Sequence, residues 1–229
     1  MENIIVETMV GYKDPQWWAI ITALLLGLFG IFQDRIRSIF WKPKIKVNMK
    51  LKSPDCHKIA MRNSQTGQFV CDSYYFRFFV ENSGNFQMEN VEAIITEVSK
   101  KEINGEYKKI ESFLPLNLVW AHYHNVAMPK IQPHLFKHLD FGHITKSDFA
   151  NLEYFDIQTS SNVVFQFDLA VIPNHGSHIL LPGDYNITIK FAANNLSPVI
   201  KKYNFIIADK WDDDERIMLQ NNVSIKELK

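Results

Sequence analysis

The sequence predicts a mainly β protein: an antiparallel β-sandwich preceded by one transmembrane helix and followed by a short C-terminal helix. Three observations predict it. Residues 15–33, PQWWAIITALLLGLFGIFQ, hold no charged side chain. Beyond them, short stretches alternate apolar and polar residues between turn signals, the period of strands with one buried face. Regularly spaced helical segments, which a parallel sheet with crossover connections needs, do not separate those stretches. The chain divides accordingly into a short tail (1–14), a transmembrane helix (15–33), a basic juxtamembrane segment (34–43) and a sandwich domain (44–229).

As a helix, residues 15–33 extend roughly 28 Å, close to the ~30 Å hydrocarbon core of a bilayer. A cleaved signal peptide needs a basic start and a small-residue cleavage site. Here Glu2, Glu7 and Asp14 oppose a single Lys13, and the run ends in Phe32-Gln33-Asp34-Arg35. A core helix of a soluble domain would carry a polar stripe, whereas between Trp17 and Phe32 only Thr22 is polar. Trp17 and Trp18 stand where indole rings favour the headgroup zone. On the other side come Arg35, Arg37, Lys42, Lys44, Lys46, Lys50 and Lys52 against Asp34 alone, with Phe40 and Trp41 among them. Basic flanks stay cytoplasmic, so the expected topology is single-pass in the cell inner membrane, N-terminus out, C-terminal domain in the cytoplasm. Trp17, Trp18, Arg35, Arg37 and Trp41 are the candidate anchor residues. Ala19, Ala23 and Gly27 recur at four-residue spacing, with Gly30 nearby. Small residues so placed let two helices pack closely, which makes them candidates for homo-oligomerisation.

The soluble part reads as strands. Residues 44–52 alternate through Ile45, Val47, Met49 and Leu51. Residues 73–82 are rich in aromatics and end at the turn Asn82-Ser83-Gly84-Asn85. Residues 90–99 and 106–113 flank Asn104-Gly105, a strong hairpin signal. Leu116 to Trp120 form an apolar run, Pro129 and Pro133 punctuate the next stretch, and 136–144 read as a short strand. Further strands are expected at 162–172, at 185–191 after the Pro182-Gly183-Asp184 turn, and at 199–208. Trp211-Asp212-Asp213-Asp214-Glu215-Arg216 opens a short helix, its acidic residues suited to a helix N-terminus rather than to a calcium cage.

Composition narrows the function classes. Lysine plus arginine equal aspartate plus glutamate at 25 each, so nothing indicates nucleic-acid binding beyond the juxtamembrane cluster. Two cysteines, Cys56 and Cys71, fit a reduced pair in a cytoplasmic domain. No glycine loop of phosphate-cradling form occurs, and no cofactor is expected.

Five histidines fall close together: His122, His124, His134, His138 and His143. The first two share a face if on a strand, and His134 and His138 share one if on a helix. Zinc needs three or four convergent ligands, and these five are the candidate set, without a His-Glu-x-x-His pattern to support it. His175-Gly176-Ser177-His178 reads as a polar hairpin loop, because Ser177 lacks a nucleophile-elbow context. Cys56-His57 is a poor reactive pair, since adjacent strand residues face opposite ways. Trp120 and the aromatics between Tyr74 and Phe79 read mainly as core. No catalytic residue emerges, and no ligand-binding residue can be named.

The stretch YYFRFFVENSGNFQMENVEAIITEV, residues 74–98, resembles the strand–turn–strand layout of immunoglobulin-like β-sandwich modules, including the bacterial adhesion-related type. LLPGDYNITIKFAANN, residues 180–195, is similar to the Pro-Gly-turn strand near the end of such modules. The whole layout resembles bacterial single-pass membrane proteins with an immunoglobulin-like β-sandwich domain. The resemblance implies that fold and a binding role, and carries over no catalytic residue. Adhesion modules are usually extracellular, from which the charge-derived topology departs. The expectation is a membrane-tethered, non-enzymatic binding or adaptor module for a cytoplasmic protein or small ligand. Two alternatives are a membrane effector of a bacterial defence or toxin system, in which ligand-driven helix clustering perturbs the bilayer, and a zinc-dependent hydrolase using the central histidines.

Overall fold

The computed structural model describes residues 15–63, 65–123 and 125–228; the predicted tail 1–14 lies outside them. The chain forms two units, Met1–Lys42 and Pro43–Lys229.

In the first unit, α1 (Pro15–Phe40) is one 26-residue helix, about 39 Å long at ~1.5 Å per residue. It is long and apolar enough to cross a membrane, and none of Gln16–Gln33 is buried. The helix runs on through most of the basic segment predicted to follow it. Nothing between Asp34 and Phe40 breaks a helix, and Pro43, just beyond its end, cannot continue one.

The second unit is antiparallel β in two sheets, an immunoglobulin-like sandwich. Its strands are β1 (Ile45–Asn48), β2 (Cys56–Arg62), β3 (Phe69–Asn82), β4 (Met88–Lys101), β5 (Tyr107–Lys109), β6 (Leu116–Asn117), β7 (Ala127–Ile131), β8 (Phe136–Lys146), β9 (Val163–Phe167), β10 (Ile179–Leu180), β11 (Gly183–Ala193), β12 (Leu196–Ile207) and β13 (Val223–Leu228). One sheet runs β1-β3-β8-β9-β10, with β2 taking over from β1 along the same edge of β3. The other runs β13-β12-β11-β4, and β5, β6 and β7 share the outer edge of β4. Strand aromatics from both sheets fill the gap. Phe165 meets Phe205 with ring centroids 4.9 Å apart, Phe78 meets Tyr203 at 5.0 Å, and Trp120 is fully buried with its indole N–H donating to the Val91 carbonyl at 3.0 Å. Burying such side chains is worth about 1.5–3 kcal/mol each.

Several elements differ in extent from their sequence pattern. β1 stops at Asn48, because Asp55 captures the backbone N–H of Lys50 at 3.0 Å and turns the chain. β2 and β13 were not legible as strands; both are polar and pair at a sheet edge. β9 ends at Phe167, beyond which Leu169 bridges to Leu118 of the facing sheet's border segment. The C-terminal helix is a single turn, α2 (Glu215–Ile217), followed by a π-turn. Asp214 caps it, accepting from the backbone N–H groups of Arg216 and Ile217 at 2.8 and 3.2 Å. Its neighbours tie it to β2: Glu215 accepts from the backbone N–H of Lys58 at 2.7 Å, and Asp213 pairs with the Lys58 ammonium at 3.1 Å.

Candidate functional site

The outer face of the β1-β3-β8 sheet carries a cluster of titratable side chains. Alternation along β3 points Tyr74, Phe76, Phe78 and Val80 into the core and Tyr75, Arg77 and Phe79 outward. The register places Tyr75 opposite His143, Arg77 opposite Asp140 and Phe79 opposite His138. His138 and His143 are five residues apart, so a regular strand would put them on opposite faces. A β-bulge inserts Phe141 between Asp140 and Gly142 and restores both histidines to the outer face. Gly142 permits this: a Cβ there would overlap the Gln166 carbonyl oxygen and the Phe165 ring.

Two histidine–aspartate pairs result. His138 Nε2 donates to Asp55 Oδ1 at 3.1 Å, and His143 Nδ1 donates to Asp168 Oδ1 at 2.8 Å. A carboxylate only accepts, so each pair fixes which ring nitrogen carries a proton. The His143 ring stacks on Tyr75 at 5.1 Å, and His138 meets Phe79 and Phe136 edge-on at 6.0 and 5.6 Å. Arg77 Nη2 donates to the Pro54 carbonyl at 2.9 Å and approaches His57 Nδ1 at 3.0 Å. Burial and that guanidinium lower the His57 pKa, so the ring stays neutral and accepts. Burial, with Asp168 and Asp140 nearby, pushes the Tyr75 phenol up.

Residues 147–162 and the loop before β10 border this face. His178 is buried against the Phe155 ring at 5.0 Å, and burial, with His143 and His175 close by, lowers its pKa to about 4. The loop predicted as a polar hairpin therefore holds a buried neutral histidine. Arg77 Nε, Thr145 Oγ1, Asp168 Oδ2, Ser177 Oγ and His178 Nδ1 are buried without a hydrogen-bond partner within the described residues. Between the 147–162 segment and residues 209–211 opens a polar depression of about 600 Å³, bordered by Lys146, Asp148, Thr159, Asn162, Asp209 and Trp211.

Among the described residues, the candidate zinc histidines do not come together. His134 is a turn residue in left-handed backbone (φ 59°), not part of a helix with His138. His122 likewise lies in a turn (φ 62°), not on a strand, and His124 lies outside the described residues. Among the described residues no three histidine, cysteine, aspartate or glutamate side chains converge as a metal requires. Cys56 faces the core, where burial raises its thiol to about 12, while His57 faces outward. Cys56 and Cys71 are both buried free thiols.

Trp17, Trp18 and Arg35 on α1 and Trp41 just after it are exposed, and the Arg37 side chain lies outside the described residues. Ala19, Ala23, Gly27 and Gly30 are exposed, and a Cβ at either glycine would meet nothing within 4 Å. Sequence reasoning missed the contribution of Asp55, Arg77 and Asp168; only the placement of Gly142 within a bulky strand hinted at the bulge that turns His138 and His143 to one face.

No protein-family model matches the chain, and no curated protein matches its sequence.

Proposed function

We propose that this protein is a membrane-tethered, non-enzymatic binding module. The helix α1 holds it in the cell inner membrane with its N-terminus out, and the cytoplasmic sandwich recognises a protein or small ligand through the outer face around Arg77, His138 and His143. The observation that carries this reading is the polar set that one outward sheet face holds in fixed positions: His138 and His143 on aspartate carboxylates, with Arg77 against His57 beside them. Side chains already held in one geometry lose little conformational freedom when a partner binds. The basic residues after the apolar run support the orientation. The unpartnered small-residue side of α1 supports self-association in the bilayer.

Affinity capture of the full-length protein from native membranes, with mass spectrometry of what is retained, tests the reading. Wild type should retain a partner or small molecule that an Arg77→Met, His143→Phe variant of unchanged thermal stability loses. Identical retained sets for both proteins would remove the face from consideration.

A further inference from the structure

We infer that the end of the sandwich from which the chain joins α1 is itself a docking surface for anionic lipid. The inference rests on the reading that α1 lies in a membrane.

Asn82 builds this end. It is fully buried at the last position of β3, opposite Ile45. Its Oδ1 accepts from the backbone N–H groups of Lys44 at 3.3 Å and Gly84 at 3.1 Å. Its Nδ2 donates to the carbonyls of Phe86 at 2.7 Å and Ile131 at 3.0 Å. Its backbone N–H donates to the Leu135 carbonyl at 3.0 Å, and its carbonyl accepts from the His134 N–H at 2.7 Å. One side chain and its peptide groups thus bind together the start of the sandwich, the 83–87 turn and the 132–135 turn. The left-handed backbone of His134 tightens the last of these.

These held turns present apolar side chains outward. Phe86 is 39% exposed, Leu135 54% and Phe136 48%. Phe136 stacks on Phe79 at 4.2 Å, which stiffens its position. Large exposed apolar residues at adjacent turn tips are costly in water and mark a contact surface. By strand register Lys44, Lys46, Lys130 and Lys137 lie at the same end of the sheets, with Glu81, 4.0 Å from Lys46, and Glu89. Apolar tips at an end with an excess of lysine complement an anionic bilayer surface, where each basic side chain adds about 1 kcal/mol.

Position in the chain selects lipid as the occupant. Pro43 opens the sandwich unit directly after Lys42 closes the helical one. Pro43 stands ten residues after Gln33, the last residue of the apolar run, so the tether to this end is short. The hairpin tip at Ile103, fully exposed and apolar, sits at the other end of β4 from Met88, roughly 40 Å away at ~3.3 Å per residue. It has no such proximity and serves as the control.

The full chain, carrying Leu135→Cys or Ile103→Cys labelled with an environment-sensitive fluorophore, is reconstituted into vesicles of phosphatidylcholine with or without phosphatidylglycerol. The two native thiols are buried, and unlabelled wild type confirms their inertness. With phosphatidylglycerol, the label at 135 should shift to the blue and be quenched by doxyl groups high on the acyl chain, while the label at 103 stays aqueous. Lys44→Glu with Lys137→Glu should abolish the shift. Phe86→Cys serves as a second site if Leu135→Cys fails to fold. Flotation of the same vesicles separates the two readings. Protein that does not float overturns the anchor itself; protein that floats with an aqueous label at both 135 and 86 overturns lipid docking and leaves the anchor standing.

Discussion

His178 illustrates how far a single environment moves a side chain from its usual chemistry. It is 2% exposed, packed on Phe155, and its pKa falls from 6.5 to about 4 through burial and the nearby His143 and His175. The folded-state pKa lies below that of the unfolded chain, so the unfolded chain takes up a proton first as pH drops. Stability is therefore complete above about pH 6.5 and declines toward pH 4, by at most about 3 kcal/mol over that window. Thermal melts at pH 7 and pH 5 should show a larger loss for wild type than for His178→Leu, and equal losses would assign the pH response elsewhere. Asn82 makes the complementary case. It is buried and its side chain makes four hydrogen bonds. Asn82→Ala leaves several backbone groups unpaired and should cost about 3 kcal/mol or more, read as a shift of the urea midpoint.

At the scale of elements, β8 shows what a pattern of residues reveals and what it hides. Aromatic and β-branched residues between Tyr74 and Val80, ended by a turn, made β3 legible, and its buried and exposed positions then follow the period of a regular strand. Applied to β8, that rule alone sets His138 and His143 on opposite faces, and one extra residue at the bulge brings both to the outer face. Asp55, in the turn before β2, and Asp168, directly after β9, complete the histidine pairs through tertiary contacts, and no local spacing encodes that. β2 and β13 escaped notice for a related reason: edge strands bury little apolar surface and so lack the signal. Gly142→Ala tests the bulge. Its Cβ has no room beside Phe165 and Gln166, so the variant should lose about 2 kcal/mol or more and disturb the His143 ring resonances before those of His57. The helix α1 supports a separate expectation. Gly27 offers an open surface where a second helix can approach. Gly27→Ile should lower the crosslinked dimer fraction of the full chain in membranes, and an unchanged fraction would remove helix association.

At the scale of the whole molecule, orientation decides which compartment the histidine face meets. The charge contrast across the apolar run is one-sided: Arg35, Arg37, Lys42, Lys44 and Lys46 come after it, whereas Glu2, Glu7 and Asp14 precede it with only Lys13 opposing. Lysine and arginine within about 15–20 residues of a span set its orientation, while acidic residues contribute little, so with Lys50 and Lys52 the comparison is seven basic residues against one. The sandwich should then lie inside the cell. An impermeant maleimide added to intact cells should leave an Ile103→Cys variant unmodified, and should modify it once the membrane is permeabilised, because that side chain is fully exposed on the folded domain. Replacing Arg35, Arg37, Lys42 and Lys44 by glutamine removes most of the contrast, and a fraction of the Ile103→Cys protein should then react in intact cells. Reaction of the parent variant without permeabilisation would place the sandwich, and the face around Arg77 with it, outside the inner membrane, where its partner would have to be sought among periplasmic or surface molecules.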